Sequence, residues 1–156
     1  MKNLFFLIAI IVIVIFTACS QSQTDLPSKV TDAFNQKFPD ATMVKWDKEN
    51  DNEWEAEFKM EGKEYTASFD QTGVWMETEY EISVEDIPAA VAKTLETEFA
   101  SYSIEKSEVT ETLEGKVYEF ELKKGKDELA ISIDTNGNVI EKAMEEQDEE
   151  SEEEDD

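Results

Sequence analysis

Two stretches echo one another: Tyr65-Thr66-Ala67-Ser68-Phe69-Asp70-Gln71-Thr72-Gly73-Val74-Trp75 and Leu129-Ala130-Ile131-Ser132-Ile133-Asp134-Thr135-Asn136-Gly137-Asn138-Val139. Each is a period-two run, the pattern of a strand with one buried face, that ends in Asp-x-x-Gly and leaves as another strand. Asp at the first turn position accepts bonds from the backbone after it, and Gly tolerates positive φ. Two registers fit such a turn. A plain four-residue turn puts Val74 and Met76 on the core face; a type I turn with a Gly bulge puts Trp75 and Val139 there. The bulge is the favoured reading, because Gly stands where the left-handed conformation falls.

Upstream of each echo lies its partner strand. Trp54, Ala56, Phe58 and Met60 alternate with Glu55, Glu57 and Lys59. A tight turn at Glu61-Gly62 pairs Phe58 with Tyr65, Ala56 with Ala67 and Trp54 with Phe69, all on one face. In the second half a type II′ turn at Gly125-Lys126 pairs Leu122 with Leu129, Phe120 with Ile131 and Tyr118 with Ile133. A further strand is expected before each hairpin, at Met43–Lys48 and Ile104–Thr110.

The echo extends to the start of each half. Asp25-Leu26-Pro27 aligns with Asp86-Ile87-Pro88, and Val30, Phe34 and Phe38 with Val91, Leu95 and Phe99, a shift of 61 positions. Spacing of i, i+4, i+8 marks one stripe of a short amphipathic helix opened by proline, about 27–38 and 88–99. The stripes are read as core packing. The expected fold class is therefore α+β. It is a tandem repeat of one helix plus a four-stranded antiparallel sheet, with the helices packed on one sheet face. The halves span 25–82 and 83–144.

The N-terminus has a different character. Leu4–Ala18 is apolar except for Thr17, with Lys2 before it. Fifteen residues fall short of the roughly 20 that a membrane-spanning helix needs, but fit the hydrophobic region of a secretory signal. The run closes on Phe16-Thr17-Ala18-Cys19, which resembles the bacterial lipobox, although Phe16 stands where Leu is usual. That resemblance implies a signal peptide over 1–18 and acylation of Cys19, which would anchor the chain to a membrane. The competing reading is a chance Cys at the end of a signal anchor. Residues 19–24 are small and polar and read as a tether. The expected location is the cell envelope, lipid-anchored and facing the periplasm, with surface display left open.

Composition narrows the function. Acidic residues number 39 against 14 basic ones, the net charge is -25 and histidine is absent; every basic residue is lysine. Such a chain repels nucleic acid. Without His, Ser and Thr have no triad partner, and the commonest general base and metal ligand are missing. The single Cys excludes an intramolecular disulfide and a Cys-rich zinc site. The pairs Glu55/Glu57 and Glu119/Glu121 alternate with apolar residues, which places them on a solvated strand face rather than in a cleft. The chain thus reads as non-enzymatic, with no catalytic residues, cofactor or dedicated metal site. Asp134–Asn138 lacks the twelve-residue ligand spread of a calcium loop and reads as a hairpin turn.

Glu145–Asp156 carries ten acidic residues in twelve and is expected to be a disordered acidic tail. It reads first as solubilising, then as a weak divalent-cation binder, then as a lure for a basic partner. Trp46, Tyr80 and Tyr102 fall outside the expected core and are candidate protein-binding anchors; partial burial under loops competes with that reading.

A short helix after Leu/Ile-Pro, the turn Phe38-Pro39-Asp40, and strands ending at Asp-x-x-Gly together resemble the PepSY-like, β-lactamase-inhibitor-like family of Bacteroidetes-type periplasmic proteins and lipoproteins. The resemblance covers about 25–144. It implies a helix-plus-four-strand fold repeated in tandem, whose open sheet face and loops bind a partner protein or peptide. The cysteines of the secreted β-lactamase inhibitor are missing here, so the resemblance carries architecture and not that inhibition. The expected task is binding, with inhibition or regulation of an envelope protein as its form. The alternative is an acidic protein that binds divalent cations.

If Cys19 carries the anchor, Cys19→Ser moves the protein from the membrane pellet to the soluble fraction on ultracentrifugation. Retention in the pellet overturns the lipoprotein reading.

Overall fold

The computed structural model describes residues 25–144; the signal, tether and tail expectations lie outside that range. Helix α1 (Ser28–Lys37) is followed by β1 (Thr42–Asn50), β2 (Glu53–Met60), β3 (Lys63–Asp70) and β4 (Trp75–Glu81). Helix α2 (Ala89–Glu98) is followed by β5 (Ser103–Thr112), β6 (Gly115–Lys124), β7 (Asp127–Asp134) and β8 (Val139–Met144). All eight strands form one antiparallel sheet in chain order. The halves are not two separate sheets: β4 pairs directly with β5, from Glu77 opposite Thr112 to Glu81 opposite Glu108.

Both helices start as the prolines dictate. Pro27 and Pro88 occupy the N-cap with extended φ/ψ, and their carbonyls accept the first helical bonds. The helices end at Phe38 and Phe99, whose amides donate to Phe34 and Leu95 while their rings turn into the core. Val30, Phe34 and Phe38 pack on Trp54, Ala56, Phe58, Ala67 and Phe69. Phe34 is the hub, with ring centroids 5.0 Å from Phe58, 5.2 Å from Trp46 and 5.3 Å from Phe38. Tilted and edge-on rings at such spacing add about 0.5–1.5 kcal/mol per pair beyond burial. The second core is largely aliphatic, with Val91 and Leu95 over Leu122, Leu129, Ile131 and Ile133. Tyr65, on the rim of the first core, and Tyr80, on the rim of the second, meet at 5.1 Å.

The hairpin registers are those expected. Phe58 opposes Tyr65, Ala56 opposes Ala67 and Trp54 opposes Phe69; Leu122, Phe120 and Tyr118 oppose Leu129, Ile131 and Ile133. Glu61 and Gly62 both have positive φ, as a type I′ turn requires. At each Asp-x-x-Gly turn the bulge register holds: Trp75 opposes Phe69 and Val139 opposes Ile133 on the helix side. Lys37 Nζ lies 3.5 Å from the Trp75 ring centroid, and Trp75 Nε1 donates to Thr78 Oγ1 at 2.9 Å.

A second bulge follows one residue later in each half. Ser68 pairs with Glu77 and Ser132 with Glu141, so Met76 and Ile140 are the extra residues. They stand 43% and 51% exposed. The extra residue reverses the facing of all that follows. Thr78 and Tyr80 turn to the helix side, and Glu77, Glu79 and Glu81 turn to the face that no helix covers.

The turn glycines touch the helices. A Cβ on Gly73 would lie 2.6 Å from the Lys29 carbonyl oxygen, and one on Gly137 would lie 2.6 Å from that of Ala90. Their φ values are +87° and +88°. Thr94 Oγ1 donates to the Gly137 carbonyl at 2.6 Å, fastening α2 to its turn. Asp70 Oδ1 accepts from the Thr72 and Val74 amides and Asp134 Oδ1 from those of Asn136 and Asn138, at 2.8–2.9 Å.

Gly73→Ala and Gly137→Ala should each destabilise the protein by about 2–4 kcal/mol in urea titrations, combining left-handed strain with a backbone clash. Gly62→Ala, where no atom lies within 4 Å of the added carbon, should cost only about 1 kcal/mol. Equal costs at all three positions would contradict the close helix approach.

Candidate open-face site

The face opposite the helices is paved with carboxylates. Register places Asp47, Glu55, Ser68, Glu77 and Thr112 in one row across β1 to β5. The next row runs Lys45, Glu57, Thr66, Glu79, Thr110 and Val117, and a third runs Glu81, Glu108, Glu119, Ser132 and Glu141. The acidic side chains of β2 and β6 are where strand alternation put them. Those of β4 and β8 arrive through the bulges at Met76 and Ile140.

Most of the described lysines on this face are engaged. Lys45 pairs with Glu57 at 3.7 Å, Lys59 with Glu64 at 2.9 Å and Lys106 with Glu108 at 2.9 Å; Lys123 pairs with Glu128. Among the described residues, no lysine forms a salt bridge with Glu55, Glu77, Glu79 or Glu119. These four are half-buried by their neighbours. Burial, reinforced by surrounding carboxylates, pushes Glu79 up to about 7; Glu77, Glu119, Glu108 and Glu55 supply the repulsion. Glu55 is likewise raised to about 7 by burial, then by Glu49, Glu57, Asp47 and Glu53. Glu77 and Glu119 are raised by the same causes, burial first. Among the described residues, Thr110 Oγ1 is the buried side-chain polar atom without a hydrogen-bond partner of proper geometry. It lies near enough to the Glu119 carboxyl to offset part of that upward push.

Trp46, Tyr80 and Tyr102 lie elsewhere. All three are half-buried on the helix side: Trp46 on Phe34 and Phe69, Tyr80 on Tyr65, and Tyr102 on Phe99. The structure does not gather them into one surface. Cys19 lies outside the described residues. Tyr80 is turned inward by the Met76 bulge, which leaves no mark in local sequence. The same bulge turns Glu79 to the open face, and a separate register shift in β5, between Ile104 and Lys106, does so for Thr110. The alternation at Glu55 and Glu119 was visible, but their crowding needs the strand order. Among the described residues no cluster of three or more acidic side chains is arranged to hold a metal ion.

The fold, a helix-backed antiparallel sheet, has known counterparts. The family described as "Putative beta-lactamase-inhibitor-like, PepSY-like" matches residues 17–66 and 52–141. The chain belongs to this family. Its two matches overlap at 52–66 and together span nearly all of the described residues. Among solved structures it is similar to a BLIP-like protein from Bacteroides fragilis, with TM-score 0.70 and 19% identity over 78% of this chain and 90% of that one. A DUF2874 family protein from Bacteroides ovatus gives TM-score 0.70 and 17% identity over 76% and 86%. A "putative periplasmic" protein from Bacteroides eggerthii gives 0.69 and 19% over 76% and 88%. At such identities the shared property is the fold. No curated protein matches the sequence significantly.

The raised carboxyls set the sign of the pH dependence. Between the unfolded carboxylate value, about 4.3, and about 7, the folded state holds protons that the unfolded chain has released. Stability therefore falls as pH rises through that window and levels off above it. The lowered Asp70, Asp86 and Asp134 act oppositely: their contribution is present above the unfolded value and is lost on further acidification. Tm by differential scanning calorimetry should be higher at pH 5 than at pH 8, and Glu79→Gln should flatten this slope more than Glu96→Gln on α2. A Tm that climbs from pH 5 to pH 8 would contradict the crowded face.

Proposed function

We propose that this protein is a non-enzymatic binding protein of the bacterial cell envelope, lipid-anchored through Cys19, that engages another protein or peptide on its helix-free sheet face. One observation carries the reading: the sheet presents a continuous polar face on which, among the described residues, half-buried Glu55, Glu77, Glu79 and Glu119 form no salt bridge. Folding alone gains nothing from crowding Glu55, Glu77, Glu79 and Glu119 together. Such an arrangement persists where a surface is shaped for something other than stability. The family and the fold of its periplasmic neighbour support an envelope location, as does the sequence before Cys19. A tandem arrangement of two PepSY-like units, fused into one sheet, doubles the width of the face. Inhibition or regulation of the partner is the form such binding would take. Trp46, Tyr80 and Tyr102, turned to the helix side, fit a supporting role better than an anchoring one.

Divalent-cation binding is the weaker reading. It rests on the acidic tail at Glu145–Asp156, since the described carboxylates form no metal cluster.

A photo-crosslinking residue at Thr66 on the open face should capture a partner in intact cells, and one at Lys93 on the exposed side of α2 should not. Capture from Lys93 alone would overturn open-face binding.

A further inference from the structure

Building on open-face binding, we propose that Glu79, Thr110 and Glu119 form a seat for a lysine ammonium or arginine guanidinium carried by a basic peptide segment of the partner.

Three strands bring the seat together. Thr110 on β5 lies between Glu79 on β4, its direct register partner, and β6, where Glu119 stands one step along the same face. Neighbouring strands run about 4.8 Å apart and residues rise about 3.4 Å along a strand, so the two carboxylates hang from backbones roughly 12 Å apart with the threonine between them. That separation suits an organic cation reaching down between side chains. It does not suit a metal ion, whose oxygen ligands must close to about 2.3–2.6 Å, and no described acidic cluster is arranged to hold one.

The threonine is the telling part. Thr110 is 8% exposed, and its hydroxyl makes no hydrogen bond of proper geometry although it lies beside the Glu119 carboxyl. The group it can serve is the Glu119 carboxylate beside it, as donor, once that carboxylate is ionised and drawn inward. A cation in the seat does both at once. The protein's own lysines do not fill it: Lys106 on β5 is held by Glu108 and Lys45 on β1 by Glu57. Glu79 faces Glu55 from β2, Glu77 on its own strand, Glu108 from β5 and Glu119 from β6. Glu119 faces Glu108, Glu77 and, from β8, Glu141. The potential over the seat is therefore negative from every side. A peptide fits this better than a lone small amine, because the acidic rows continue along the face for further basic residues.

The test is fluorescence anisotropy of the full-length protein with a labelled Lys/Arg-rich peptide, its Gln-substituted counterpart and, as competitor, spermidine. Glu79→Gln with Glu119→Gln should weaken binding about tenfold, whereas Glu96→Gln with Glu98→Gln on α2, an equal charge change, should alter it less than about twofold. Thr110→Val, which leaves charge unchanged, should weaken it about threefold. Affinity should rise from pH 6 to pH 8 as Glu79 ionises. Each variant's Tm and circular dichroism are compared with those of the parent, so that a folding defect is recognised. Equal losses from the two double variants, an unaffected Thr110→Val, or binding of the Gln peptide as tight as that of the basic one would each overturn the seat. Spermidine competing at the peptide's own affinity would overturn the peptide source. Crosslinking from Thr66 without basic-peptide binding would sink the seat and leave open-face binding standing; loss of both would sink both.

Discussion

Two one-residue bulges, at Met76 and Ile140, govern what β4 and β8 show to solvent. A strand carries its side chains alternately up and down, so a single inserted residue exchanges the two faces for everything beyond it. Without the insertion in β4, Glu77, Glu79 and Glu81 would point at the helices, and Thr78 and Tyr80 would point away. Three carboxylates under an apolar helix layer could not be accommodated without partners. Trp75 could still cover the first core, because the Gly73 turn sets its side independently. The paired irregularities thus let one short strand serve an apolar layer at its start and an acidic face along the rest.

The consequence is a molecule whose two sides follow opposite rules. On the helix side, aromatic and aliphatic residues pack in register, and the turn glycines let the helix backbone sit directly on the hairpins. On the other side, like charges are held close enough to raise one another's proton affinity, and a buried hydroxyl lies between two of them without a well-formed hydrogen bond. The first side supplies the stability that the second draws down.

Much of the first side was legible in the sequence. Alternation at Trp54–Met60 and Tyr65–Phe69, with Gly62 at the only tight turn between them, leaves one register that buries all six apolar residues. Proline before each helix stripe marks its start within a residue. The bulges at Met76 and Ile140 were not legible, because neither carries a glycine or other residue that demands irregular backbone; they are imposed by the pairing of the neighbouring strands. Tyr80 was misjudged for that reason, and the direct joining of β4 to β5 has no local signature at all. The open-face carboxylates were visible as the polar half of each strand. Their crowding depends on which strands become neighbours, which alternation does not encode.

The joining of β4 to β5 also bears on how the chain avoids its own kind. Two separate four-stranded sheets would offer four rows of unsatisfied amides and carbonyls, each a template for another strand. One eight-stranded sheet offers two, β1 and β8. Strand β1 is interrupted by a register shift between Thr42 and Lys45, where Met43 takes φ +57°, and carries exposed Lys45, Asp47 and Lys48. Strand β8 is only six residues long. Fusing the halves therefore widens the face while halving the edges at which unintended strand addition and fibril growth could begin.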